Sequence, residues 1–153
     1  MKAALIEAWR AELQIRLDRV TRTQDEARSA TRVDGSHRPA NRGERAAVTS
    51  AGYLAHGLGQ RAAELAEALR LLDEMGAGVR ERVVVGAVVE LSDGWVGVFP
   101  GGDATVLTVE GAEVRVLSGR APLVQAIWNL EEGDEGRLRL PTGVRELEIL
   151  RVL

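Results

Sequence analysis

Apolar residues recur at spacings of three and four through the first 75 residues of this chain, and after Gly78 that period stops. Ile6, Trp9, Leu13, Leu17 and Val20 form one stripe and predict a helix over residues 2–31, with charged residues on its other faces. Leu54, Leu58, Ala62, Leu65, Leu69 and Leu72 form a second stripe and predict a helix over 45–75. Gly52, Gly57 and Gly59 weaken that helix by about 1 kcal/mol each relative to alanine, so neighbours compensate or the helix bends there. "MGAG" at 75–78 is its stop signal. Between the two stripes, "RVDGSHRPANRGE" carries turn chemistry. Two narrow stripes joined by a short loop bury each other only by folding back. The expectation is an antiparallel coiled-coil hairpin over 1–78, with arms of roughly 45 Å and a tip near 33–44.

Beyond Gly78 the residues become β-branched and turn-punctuated. "RVVVGAVVEL", "WVGVFP", "ATVLTVEG" and "AEVRVLS" predict four short strands separated by "SDG", "GGD" and a Gly-centred turn. "PLVQAIWNL" predicts a short helix with Pro122 in its first turn, where a missing N–H costs nothing. "GRLRLP", a turn at Thr142-Gly143 and "VRELEILRVL" predict a final hairpin. The fold class is therefore α+β, with a small antiparallel sheet domain and one short helix over 79–153.

Charge divides the same way. Residues 1–80 hold 13 Lys/Arg against 11 Asp/Glu, and residues 81–153 hold 7 against 12. A net charge of −3 excludes a strongly basic nucleic-acid binder. Aromatic residues make up 3 % of the chain, too few for stacking on single-stranded nucleic acid. The chain has no cysteine, which removes disulfides, thiol catalysis and Cys-based zinc sites. Glu7, Arg10 and Glu12 interrupt any signal-peptide core, and no apolar run reaches a membrane-spanning length. The expectation is a cytoplasmic protein with no membrane partner.

The second half carries a family likeness. Val116, Leu117 and Ser118, then Pro122, Leu123 and Ala126, then Gly133, Asp134 and Glu135, then Pro141, Gly143, Arg145, Glu146, Glu148, Ile149 and Leu150 match one pattern, without a gap from Pro122 to Leu150. In these residues the chain resembles the bacterial Gre transcript-cleavage factors (GreA/GreB-like). Those proteins join an N-terminal coiled-coil hairpin to an FKBP-like C-terminal domain. The resemblance implies that Gly133-Asp134 builds the fold. It also implies that the hairpin enters the secondary channel of RNA polymerase while the globular domain docks at the rim, with Ser118, Pro122 and Leu123 as docking residues. In that family, acidic residues at the tip help hold a catalytic Mg²⁺ in the polymerase.

The tip here departs from that pattern. Within residues 28–45 the acids are Asp34 and Glu44 only, against Arg28, Arg32, Arg38, Arg42 and Arg45, with His37 beside them. Asp34 and Glu44 are the candidate Mg²⁺ ligands if the hairpin brings them together. The plain alternative is an Asp-Gly turn at Asp34 and a favourable Glu44 at the positive end of the second helix. The arginines, with Arg38 and Arg42 foremost, suit phosphates or an acidic protein surface. They equally suit a solvated turn. The tip set is thus Asp34, His37, Arg38, Arg42 and Glu44.

The expected function is a non-enzymatic regulator that binds bacterial RNA polymerase and modulates elongation or initiation without efficient transcript cleavage. It touches nucleic acid only indirectly, is a monomer or weak dimer, and has no cofactor unless the tip shares the polymerase Mg²⁺. One alternative is an active cleavage stimulator using Asp34 and Glu44. Another is a coiled-coil interaction module unrelated to polymerase, favoured if Leu5 and Ile15 lie exposed off the main stripe. A prolyl isomerase is a third class, but Trp95, Phe99 and Trp128 are the only rings after residue 80. Trp9 and Trp128 read as core, Trp95 as a half-exposed docking candidate, and Tyr53 as packing or interface. His37 and His56 lie too far apart in sequence to suggest a shared metal site. "GLGQRA" lacks phosphate-loop spacing and does not follow a strand.

Overall fold

The computed structural model describes residues 1–31 and 41–153. Helix α1 spans Lys2–Thr31 and α2 spans Arg42–Met75. Strands β1 (Val88–Leu91), β2 (Gly94–Val98), β3 (Asp103–Val109) and β4 (Ala112–Leu117) follow. Then come α3 (Pro122–Ala126), β5 (Glu135–Leu140) and β6 (Gly143–Val152). The chain divides into two compact units, one of Met1–Glu12 with Ala68–Leu153 and one of Leu13–Glu67.

The described residues of the Leu13–Glu67 unit lie on the two helices, apart from Asn41. On α2 the inward seam runs through Val48, Ala51, Ala55, Leu58, Ala62 and Leu65, all buried or half-buried. Its spacings alternate three and four, the signature of coiled-coil packing. Gln24 of α1 is buried in this unit, and its Nε2 donates to the carbonyl of Ala55 at 3.3 Å. Leu54, expected on the inward stripe, is 54 % exposed. The seam beside it is carried by Ala51 and Ala55 instead. The second helix begins at Arg42, three residues before the expected start. Asn41 is the reason: its Oδ1 accepts from the Glu44 N–H at 2.9 Å and caps the first turn.

The other unit is a six-stranded sheet in the order β3-β4-β2-β1-β6-β5. The expected antiparallel sheet is in fact mixed, because β2 and β4 pair in parallel. After β2 the chain skips one position to lay β3 at the edge, and β4 returns into the gap. A strand returning antiparallel to β3 then runs parallel to β2. The expected first strand over 82–91 pairs as a strand only from Val88, and Gly86, with φ 93°, stands just before it.

Both faces of the sheet are covered. On one face Val89 lies beside Val96 and Val152, and Leu91 beside Ile149. These join Val124 and Ile127 around α3 in the main core. On the other face Val88, Gly97 and Val116 lie in register. A Cβ on Gly97 would sit 2.9 Å from Leu5 Cδ2, so the glycine makes room for α1. Leu5 is fully buried and so gives the interaction-module alternative no exposed apolar surface, whereas Ile15 is 54 % exposed. Trp9 is also fully buried, and its Nε1–H donates to the Pro100 carbonyl at 2.9 Å. In the same unit Arg10 Nη2 meets Asp73 Oδ1 at 2.8 Å. Hydrogen bonds to Glu7 and then Asp73 raise the Arg10 pKa.

Candidate functional site

The residues of the family pattern build one continuous piece of structure. Pro122 occupies the first turn of α3, and Gln125 N–H donates to the Ala121 carbonyl at 2.9 Å. Gly133 has φ 88°, a left-handed conformation that glycine adopts without strain. Its N–H donates to Ile149 O at 2.8 Å, and Ile149 N–H donates to Asp134 O at 3.0 Å. Asp134 Oδ2 accepts from Glu131 N–H at 2.8 Å. Gly133 and Asp134 thus lock the end of the helix segment onto β6, and β5 then pairs with β6 from Glu135↔Glu148 to Leu140↔Gly143.

Ser118 lies on the segment joining β4 to α3, and Pro122 and Leu123 open α3. Ala121 N–H donates to Ser118 O at 3.0 Å, and the Gln125 side-chain amide donates to Gly119 O. Gly102 presses against this segment so closely that a Cβ there would lie 2.2 Å from the Leu117 carbonyl carbon. Pro122 is exposed, while Ser118 and Leu123 are half-buried. Leu123 lines a cleft of about 300 Å³ with Asp93, Trp95, Val96, Val106, Glu113, Arg115 and Arg145. Arg145 pairs with Asp93 at its rim. The cleft therefore joins apolar surface to charges of both signs, a chemistry of recognition.

The aromatic residues do not share that cleft. Trp95 borders it, and Arg151 stands over the Trp95 ring at 5.9 Å from its centroid. Phe99 is fully buried. Trp128, expected in the core, is 40 % exposed. It lies with Val85 against Gly119, where a Cβ would meet Val85 Cγ2 at 3.3 Å and Trp128 Cζ3 at 3.5 Å.

Of the tip residues, Asp34, His37 and Arg38 lie outside the described residues, as does any meeting of Asp34 with Glu44. Arg42 and Glu44 open α2, with Glu44 in the first turn where the helix dipole favours a carboxylate. Asn41 escaped the sequence reading, although Asn three residues before Glu is a helix-start signal. His56 lines a groove of about 690 Å³ in the helical unit with Gln24, Arg28, Gly52, Gly59 and Gln60 among its walls. Among the described residues, no group of three or more His, Cys, Asp or Glu is placed to hold a metal ion. No helix of the described residues is long and apolar enough to cross a membrane.

One buried titratable group stands apart from these surfaces. Lys2, the only lysine in the chain, donates to Gly78 O and to Leu153 O, the latter at 3.2 Å. Burial, and then the positive charge of Arg80, lower its pKa to about 8.

No protein-family model matches the chain, and no curated protein matches it. Solved structures do. The chain is similar to the GreA factor homolog 1 (Gfh1) protein of Thermus thermophilus, at 20 % identity over 97 % of this chain and 92 % of that one, with a TM-score of 0.35. It is similar to Thermus aquaticus Gfh1 at 21 % identity over 99 % and 95 %, with a TM-score of 0.39. A third structure, of the transcription factor Gfh1, is 22 % identical over 94 % and 92 %, also with a TM-score of 0.39.

Proposed function

We propose that the protein is a Gre-like factor that binds bacterial RNA polymerase through its secondary channel and modulates elongation or initiation without efficient transcript cleavage. The observation that carries this reading is the ungapped pattern from Pro122 to Leu150. Those residues form α3, the Gly133-Asp134 lock and the β5–β6 hairpin, so the likeness follows a structural unit rather than scattered identities. The element order, two long helices and then a sheet with one short helix, agrees with it. The exposed Pro122 and the cleft beside Leu123 supply the docking surface on this reading.

Inefficient cleavage follows from charge. Residues 28–45 hold five arginines and two acids, whereas sharing a Mg²⁺ calls for paired carboxylates. Glu44 also has a structural task at the start of α2. The basic segment instead suits modulation by contact with phosphates or acidic protein surface.

The test is co-purification of the full chain with bacterial core RNA polymerase, followed by cleavage assays on backtracked complexes. Binding without stimulated cleavage is expected, and Pro122→Asp should weaken binding without unfolding the chain. Stimulated cleavage that disappears in Asp34→Ala or Glu44→Ala would overturn the account of the tip. Absence of binding would leave an interaction module unrelated to polymerase.

A further inference from the structure

Packing within the Leu13–Glu67 unit is uneven along its length. Leu13 and Leu65 are buried at one end. Over residues 14–30 and 42–64 the buried side chains are Gln24, Ala27 and Ala55. Leu17, Val20, Val48 and Leu58 are half-buried. An alanine takes less apolar surface out of water than a leucine does, so this stretch gains little from burial. Helix α2 also has little of its own to hold it there. Residues 46–60 contain no Asp, Glu, Lys or Arg, so no ion pair braces successive turns. Pairs of Arg61 with Glu64 and Arg70 with Glu74 brace the turns that follow. Thr49 Oγ1 donates to the Arg45 carbonyl at 3.0 Å, a back-bond that favours bending.

Gly52, Gly57 and Gly59 fall in the same stretch. A Cβ on Gly52 or Gly57 would meet nothing within 4 Å, so packing does not call for glycine at either position. What glycine adds there is backbone freedom once the turn opens. Gly59 differs, because a Cβ there would lie 2.6 Å from Gln24 Nε2. The Gln24 amide fills that gap and donates to the Ala55 carbonyl at 3.3 Å. On opening, water takes over the amide, and the Ala55 carbonyl keeps its own helical partner. A polar latch of this kind therefore releases at small net loss. Helix α1 is the stiffer partner. It contains no glycine, and opposite charges recur four apart at Asp18, Arg22 and Glu26. We propose that α2 carries a hinge at Gly52–Gly59. Residues 42–59 come away from α1 as one cooperative piece, while α1 and the rest of α2 stay helical. The inference is independent of the polymerase reading.

The test is amide hydrogen exchange of the full chain, followed residue by residue by NMR. Amides of residues 48–59 should share one level of protection, at least about 100-fold below that of residues 65–72. The step should fall between Gly59 and Leu65. The double variant Gly52→Ala, Gly57→Ala should raise the shared level about tenfold and leave residues 65–72 unchanged. Both methyl groups have open space, so the variant keeps the fold. Protection equal across 48–72 overturns the proposal. So does a gradual rise from residue 42 onward, which is fraying of a helix end rather than a hinge. A double variant with unchanged protection over 48–59 would show that the glycines do not govern the opening, and would overturn the hinge.

Discussion

Replacing Trp9 by phenylalanine removes one hydrogen-bond donor and part of a ring from a fully buried site on α1. Trp9 has no solvent exposure, and its Nε1–H is 2.9 Å from the Pro100 carbonyl. Loss of that donor from a buried carbonyl costs about 1–3 kcal/mol. The smaller ring leaves a void whose cost lies below the roughly 3–5 kcal/mol of full truncation to alanine. Together these place Trp9→Phe near 2–3 kcal/mol. At about 3 °C per kcal/mol for a chain of this size, the melting temperature should fall by about 6–9 °C. Trp9→Ala should fall further. Thermal unfolding followed by circular dichroism reads both. Fluorescence supplies an independent check, because Trp95 and Trp128 are partly exposed and Trp9 is not. Emission of the Trp9→Phe variant should therefore move to the red. A melting temperature within about 1 °C of the parent would refute the reasoning, because it would mean that neither the ring nor the Pro100 contact is buried as described.

Other outcomes follow from the same geometry. Leu5→Ala should cost about 2–5 kcal/mol by denaturant titration, whereas Ile15→Ala on the same helix should stay within about 0.5 kcal/mol. Gly52 has open space for a Cβ, so Gly52→Ala should stabilise by about 0.5–1 kcal/mol. Gly59→Ala should gain nothing in the same assay, because its methyl group displaces the Gln24 amide from Ala55. Lys2, as the only lysine, gives a single side-chain signal in a lysine-labelled NMR titration, with a midpoint near 8. Below that pH it is charged in both folded and unfolded chains, and its burial penalty is fully felt. Between about 8 and the unfolded value of 10.5 only the folded chain has released the proton. Stability should therefore rise with pH across that window, by at most about 1.4 kcal/mol per unit. Lys2→Met should flatten the slope, and a midpoint above 10 would contradict the burial.

Much of the fold could be read from periodicity because burial repeats with the backbone. Trp9 and Leu13 of α1, and Leu65 and Leu72 of α2, are buried as their spacing predicts. Leu54 shows where that logic stops. It sits four residues before Leu58, as a helical stripe requires, yet the seam there passes through Ala51 and Ala55. A seam with a 3.5-residue period drifts around a 3.6-residue helix, and small residues mark it without an apolar signal. Leu5 lies off the apolar stripe and is nevertheless fully buried. Its partner is the bare backbone of Gly97 in a strand more than ninety positions away, and a glycine in a sequence does not announce what approaches it. Trp128 was misjudged for a related reason: a ring in an apolar run can still lie over a surface glycine. In the candidate site, the left-handed turn at Gly133 and the proline at the start of α3 were legible because each residue type has one main conformational use. The cleft beside Leu123 was not, since its walls come from β2, β3, β4, α3 and β6.

Local chemistry was enough to specify two helices, the turns, the strands, the short helix and the change of architecture after Gly78. Each depends on backbone preference and on a period that neighbouring residues express together. The parallel pairing of β2 with β4, the burial of Leu5 and the cleft that Leu123 shares with residues of four strands came from tertiary structure alone. Those features depend on which distant strands become neighbours, and that choice is made by the packing of whole faces.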